Sequence, residues 1–175
     1  MKVVIISGSP RKNANTAVMM KHVFEYTKQK NSDTKFINLS EDGFEYYRGF
    51  LNEINYNEKT LQAARDITES DVWLIGTPIY NSMFSAALKN LFEFVNYKET
   101  AGKTAGLAIL ASGMIGFTDV QTLLTQLMSY FRVITNPTPV FMTADKIEDG
   151  QISSDEVKSR LNELVDKTLT MAKDK

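Results

Sequence analysis

Four uninterrupted apolar runs of strand length constrain the fold of this chain more than any other feature. They are Val3–Ile6, Val72–Gly76, Gly106–Ala111 and Val140–Met142. A strand with one wet face alternates apolar and polar residues, whereas these runs do not, so they predict a parallel sheet covered on both faces. Lys35–Leu39 reads as a weaker strand. Between the runs, apolar residues recur at helical spacing: Phe84, Ala87, Leu88, Leu91, Phe92 and Val95, then Val120, Leu123, Leu124, Leu127, Met128 and Phe131. A shorter helix is predicted from about Glu58 to Thr68, carrying Leu61, Ala64 and Ile67. The last helix opens at Ser153-Ser154-Asp155-Glu156, a capping-box spacing, and buries Val157, Leu161, Leu164, Val165 and Met171 or Ala172. Strand and helix thus alternate five times, and right-handed crossovers wind such a chain into a doubly wound sheet with helices on both sides.

With 175 residues the chain is expected to form one domain, 1–175. Twenty basic residues balance 21 acidic ones, and no basic run of five occurs, so nucleic acid is not an expected partner. The absence of cysteine excludes disulfides, thiolate catalysis and cysteine-held zinc or iron–sulfur clusters. A single histidine, His22, argues against a histidine metal site. Only four strongly apolar residues precede Ser7, and no run has membrane-spanning length, so a cytoplasmic location off the membrane is expected. Residues 40–57 are poorly patterned; their aromatics Phe44, Tyr46, Tyr47, Phe50 and Tyr56 are expected to pack on the domain or a partner subunit.

Ligands of doubly wound sheets sit beyond the carboxyl ends of the strands, where strand order reverses. The loops after strands one, three and four therefore carry the argument. In the first, Ser9, Asn15 and Thr16 offer hydroxyl or amide donors, Arg11 a positive charge, and the amides of 13–17 lie at a helix N-terminus. That combination suits a phosphate; a capped helix start with a solvated arginine is the alternative. In the second, Thr77-Pro78-Ile79-Tyr80-Asn81-Ser82-Met83-Phe84, the proline is expected to end the strand and stiffen a row of peptide groups able to read a flat heterocycle. A plain turn into the next helix also fits. In the third, Ser112-Gly113-Met114-Ile115-Gly116, two glycines permit close approach to a planar ligand, or form an ordinary turn.

The segment Gly8-Ser9-Pro10-Arg11-Lys12-Asn13-Ala14-Asn15-Thr16 resembles the phosphate loop of the flavodoxin-like NAD(P)H-dependent FMN reductases. Thr77-Pro78-Ile79-Tyr80-Asn81 with Leu88-Lys89-Asn90 is similar to that family's second signature, and 112–116 to its third loop. The resemblance runs to about residue 135. It implies a three-layer α/β/α domain with a five-stranded parallel sheet in the order 2-1-3-4-5. It further implies FMN as cofactor, NADPH or NADH as co-substrate, a small-molecule electron acceptor, and a homodimer or higher homo-oligomer. Carried over residue by residue, Ser9, Arg11, Asn15, Thr16 and Ala17 hold the phosphate. Pro78, Ile79, Tyr80, Asn81 and Ser82 border the ring, and Ser112, Gly113, Met114 and Gly116 close over its other edge. Some relatives carry a cysteine cluster after the second strand, which residues 40–57 lack; Glu93 stands where aspartate is common.

The expected reaction passes hydride from NAD(P)H to bound FMN and then to a flavin, quinone, azo or similar acceptor, in a ping-pong cycle. The flavin carries the chemistry, so no catalytic side chain is named and no metal is expected. Met83 and Phe84 are candidates for an acceptor pocket or a subunit contact. The alternative is a flavodoxin-type electron carrier without NAD(P)H activity, against which the net charge of −1 argues, since such carriers are strongly acidic.

Overall fold

The expected alternation is present in the computed structural model, which describes residues 1–49 and 55–174. The elements are β1 (Val3–Ser7), α1 (Asn15–Lys30), β2 (Thr34–Asn38), α2 (Glu58–Glu69), β3 (Val72–Tyr80), β4 (Met83–Phe84) and α3 (Ala86–Glu93). They continue with β5 (Thr104–Ala111), α4 (Phe117–Tyr130), β6 (Ile134–Thr135), β7 (Val140–Thr143), β8 (Ile147–Glu148), β9 (Gln151–Ile152) and α5 (Asp155–Lys173).

The sheet runs β2-β1-β3-β5, and both β6 and β7 add to β5; all of these pairings are parallel. The fold class is the one expected, with a difference in detail at the edge. The fifth strand is two short pieces, because Asn136-Pro137-Thr138-Pro139 interrupts it and proline cannot donate to a ladder.

The uninterrupted runs are explained by the two layers they serve. Val3, Ile5, Val72 and Leu74 pack with Met19, Met20 and Val23 of α1 and with Leu161, Leu164 and Val165 of α5. Val4, Ile6, Trp73 and Ile75 point the other way, onto Ile67 of α2, Leu88 and Phe92 of α3, and Val120, Leu124 and Met128 of α4. Successive strand residues alternate between faces, and both faces are dry.

Three expectations are corrected. Pro78 does not end its strand: β3 runs on to Tyr80, with Pro78 opposite Leu110 of β5. Backbone groups of successive residues point to opposite neighbours, and Gly76 faces β1, where its carbonyl accepts from Gly8 N–H at 2.8 Å. Pro78 faces the same side, beyond the last β1 residue, Ser7, so its missing N–H deprives no β1 partner. The cap of α5 is Ser154, whose hydroxyl accepts from Val157 N–H at 3.3 Å; position N3 is valine, so no reciprocal capping box forms. Phe84 lies in the strand β4 and is half-buried against the core, whereas Met83 is 48% exposed.

Residues 40–49 are pinned rather than loose. Asn90 of α3 accepts from Tyr47 N–H at 2.8 Å and donates to Glu45 C=O at 2.9 Å. Tyr47, Tyr56 and Phe94 form an aromatic cluster, and Phe44 packs on the core, while Tyr46 is 80% exposed. Phe50 lies outside the described residues. Asn90→Ala should remove two hydrogen bonds worth together about 1–3 kcal/mol. Hydrogen exchange at the Tyr47 amide should then accelerate roughly tenfold or more; unchanged exchange would show that the loop is held by its aromatics alone.

Candidate functional site

The crevice between the carboxyl ends of β1 and β3 is where the chain order of the sheet reverses, since β2 lies on one side of β1 and β3 on the other. The loops leaving these two strands are tied together from below. Ser85, which caps α3 by accepting from Leu88 N–H, donates its hydroxyl to Gly8 C=O. Ser85 N–H in turn donates to Thr77 Oγ1 at 3.2 Å. The ground under the first loop is therefore set by residues of the second.

Above this base lies a cleft of about 730 Å3, within the range of roughly 300–1,000 Å3 usual for small-molecule sites. Of the residues expected at the site, it brings together Ser9, Arg11, Asn15 and Thr16 from the first loop, Pro78, Ile79, Tyr80 and Asn81 from the second, and Ser112 from the third. Ala17 instead lines an adjacent cleft with His22. Ser82 is exposed at the tip of a hairpin. Gly113 and Met114 are also exposed, Met114 by 79%. Gly116, at φ +89°, is the N-cap of α4, and a Cβ there would stand 3.6 Å from Ile79. Asn13 and Ala14, whose amides are expected there, also line the cleft, as do Lys12, Leu110, Ala111 and Ala144, to which the sequence reading gives no role. Leu110 and Ala111 were reachable from the rule that strand ends carry ligands; Ala144 follows β7, whose loop had been left out of account.

The electrostatic character of the cleft comes from α1. Ala14, its N-cap, offers no side-chain acceptor, and no acidic residue occupies the first turn. By contrast, Asn57, Ser85 and Ser154 cap α2, α3 and α5 with side-chain oxygens. The ladder of α1 begins with Ala17 N–H and Val18 N–H bonded to Ala14 C=O. The N–H groups of Asn15 and Thr16 precede it and point out of the helix end, where a macrodipole favours an anion. Arg11 adds a full charge; its guanidinium lies 4.7 Å from the Tyr80 ring centroid. Lys12 is drawn aside to Asp42 at 3.2 Å. Beyond Ala144 on the far wall, hydrogen bonds from Lys146 and Thr143 hold the Asp145 carboxyl below its ordinary value.

The second loop is a tight hairpin. Tyr80 pairs with Met83 across Asn81 and Ser82, both at positive φ (49° and 62°), as a two-residue turn of the primed type requires. This turn holds Tyr80 at the cleft. His22 faces Asn162 of α5, with 2.9 Å between Nε2 and Oδ1. Among the described residues no cluster of three or more histidine, aspartate or glutamate side chains could hold a metal, and no helix is long and apolar enough to cross a membrane. An anion at the α1 end and a flat polar-rimmed ligand along the β3 loop are what this arrangement can hold.

Comparison with known proteins points the same way. The family described as NADPH-dependent FMN reductase matches residues 1–148. An NAD(P)H-dependent FAD/FMN reductase of Geobacillus thermodenitrificans is 25% identical over 167 residues, 94% of this chain and 89% of that one. An FMN-dependent NADPH-azoreductase of Staphylococcus aureus is 26% identical over 139 residues, 77% and 69% of the two chains. Among solved structures, an NADH:FMN oxidoreductase in its apo form superposes with a TM-score of 0.80 at 23% identity, covering 95% of this chain and 87% of that one; that likeness concerns the fold.

Proposed function

The chain belongs to the NADPH-dependent FMN reductase family and is accordingly an NAD(P)H-dependent oxidoreductase with FMN as cofactor; from that premise we propose that its cleft holds FMN phosphate-first at the α1 end. The observation that carries the reading is the uncapped N-terminus of α1 facing a cleft that also receives Arg11. The residues fit the group. Asn15 and Thr16 bring amides and polar side chains, Arg11 the charge, and Ala17 the next turn of helix. Pro78, Ile79, Tyr80, Asn81 and Ser82 border the ring on one side. Ser112, Gly113, Met114 and Gly116 are assigned to its other edge, and of these Ser112 lines the cleft.

When bound, FMN would supply hydride chemistry between NADPH or NADH and a flavin, quinone, azo or similar acceptor, in a ping-pong cycle. The chain's own part is to fix the phosphate, orient the ring against β3, and aim peptide N–H groups of the second and third loops where negative charge develops. No side-chain acid or base is assigned. Met83, 48% exposed beside the cleft, is a contact for an apolar acceptor. We further read the chain as one domain, 1–175, working as a cytoplasmic homodimer or higher oligomer.

Two measurements test this. NADPH or NADH added anaerobically to the FMN-loaded protein should bleach the flavin absorbance, and a quinone or azo dye should restore it; bound FMN that neither nucleotide bleaches would mean an electron carrier. Arg11→Ala should weaken FMN roughly 10- to 100-fold, the loss of a charge-assisted hydrogen bond of about 1.5–3 kcal/mol, with little change for riboflavin. Equal losses for both ligands would show the phosphate to lie elsewhere.

A further inference from the structure

Ser9 and Tyr80 belong to different loops and meet at the anion end of the cleft. Ser9 Oγ lies 2.9 Å from Tyr80 Oη and accepts a hydrogen bond from Arg11 N–H at 3.3 Å. Both line the cleft, but to different depths: Ser9 is 0% exposed, whereas Tyr80 is half-buried.

A serine hydroxyl has one proton to give. Either hydroxyl of the Ser9–Tyr80 pair could donate, but among the described residues Tyr80 Oη is the one hydrogen-bond partner of Ser9 Oγ able to accept, and burial denies Ser9 water. Buried donors are satisfied as a rule, so Ser9 donates and Tyr80 accepts. The proton of Tyr80 is then left without a protein acceptor, on the side open to the cleft. The bonds run in one direction, from Arg11 N–H through Ser9 to Tyr80, and bonds arranged head to tail polarise one another, sharpening the last donor. Arg11 also lies over the Tyr80 ring, which fixes the ring from its face and places positive charge at the same end.

We infer that Tyr80, whose backbone borders the ring, also reaches the phosphate, its O–H turned to the anion by this relay, and that Ser9, expected from the sequence to hold the phosphate itself, is instead a positioning residue acting through Tyr80. The inference rests on the reading of the cleft as an FMN site. It also separates two neighbouring hydroxyls into different roles: one reaches the ligand, the other decides where the first points.

The experiment titrates FMN and riboflavin into the wild type, Tyr80→Phe, Ser9→Ala, the double variant and Arg11→Ala, and melts each protein without flavin. Each of the two hydroxyl deletions should lower FMN affinity roughly tenfold and leave riboflavin binding nearly unchanged. The double variant should bind FMN no worse than the weaker single, because the two groups act as one unit. Without flavin, Tyr80→Phe should melt lower, since it orphans the buried Ser9 proton, and Ser9→Ala added to it should restore part of the loss. Additive affinity losses, an unchanged Tyr80→Phe, or equal losses for riboflavin would overturn the relay alone. An Arg11→Ala variant without preference for FMN, or a wild type that binds no FMN, would take down the phosphate-site reading and this inference together.

Discussion

Replacing Trp73 by alanine is expected to destabilise the protein by about 3–5 kcal/mol and lower its melting temperature by roughly 6–20 °C. Trp73 is fully buried in the centre of β3, with Phe92 at 5.6 Å and Phe131 at 5.9 Å between ring centroids. It therefore joins α3 to the end of α4 on one face of the sheet. Its Nε1–H donates to Ile67 C=O at 2.8 Å, which also ties in the last turn of α2. Truncation leaves a cavity bounded by three helices that cannot all close inward, because each is also held to the sheet by its own apolar stripe. Trp73→Phe should recover most of the volume and retain a smaller loss, about 1–3 kcal/mol, from the carbonyl left without its donor. Urea denaturation followed by far-UV circular dichroism measures both. A Trp73→Ala protein within about 1 kcal/mol of wild type would show that the α2–α4 layer does not rely on this residue.

Gly8→Ala is expected to strike stability and ligand binding together. A Cβ at Gly8 would stand 2.8 Å from Gly76 O and 3.3 Å from Leu88 Cβ. The first of these is backbone in the middle of the sheet and cannot rotate away. The same carbonyl accepts from Gly8 N–H at 2.8 Å, so the clash and the hydrogen bond share an atom. Overpacking combined with the weakened bond amounts to about 2–4 kcal/mol. The displaced loop carries Ser9 and Arg11, and FMN affinity should fall by at least roughly tenfold. Gly113→Ala is the matched control: nothing lies within 4 Å of its Cβ position, and stability should stay within about 0.5 kcal/mol of wild type. Gly8→Ala with undiminished stability and FMN affinity would contradict the close approach of β1 to β3.

Both predictions concern β1 and β3, where the legible and the illegible parts of this chain divide. The strand runs could be read from residue order alone, since continuous apolar residues are what a strand between two dry layers demands. The helices could be read for the same reason, as shown by Leu88, Leu91 and Phe92 or by Val120, Leu124 and Met128. The last hairpin is legible too. Asp149 and Gly150, both at positive φ, form the turn of the β8–β9 hairpin, and an Asp-Gly pair announces such a turn. The passage of β3 through Pro78 was not legible, because it depends on β1 having already ended on that side.

The candidate site divides in the same way. Arg11, Asn15 and Thr16 could be named from a loop placed between a strand and a helix, as local rules for anion sites allow. The Ser9–Tyr80 contact spans 71 positions, and no local pattern announces it. The sequence by itself determined the class of fold, the chemistry available at its loops and the absence of any thiol, because periodicity, turn preference and composition act over a few residues. Only the tertiary structure decided which loop residues share one cleft, which hydroxyl faces it and which is sealed beneath, because those facts follow from the register of β1 against β3, and register is set by packing between segments far apart in the chain.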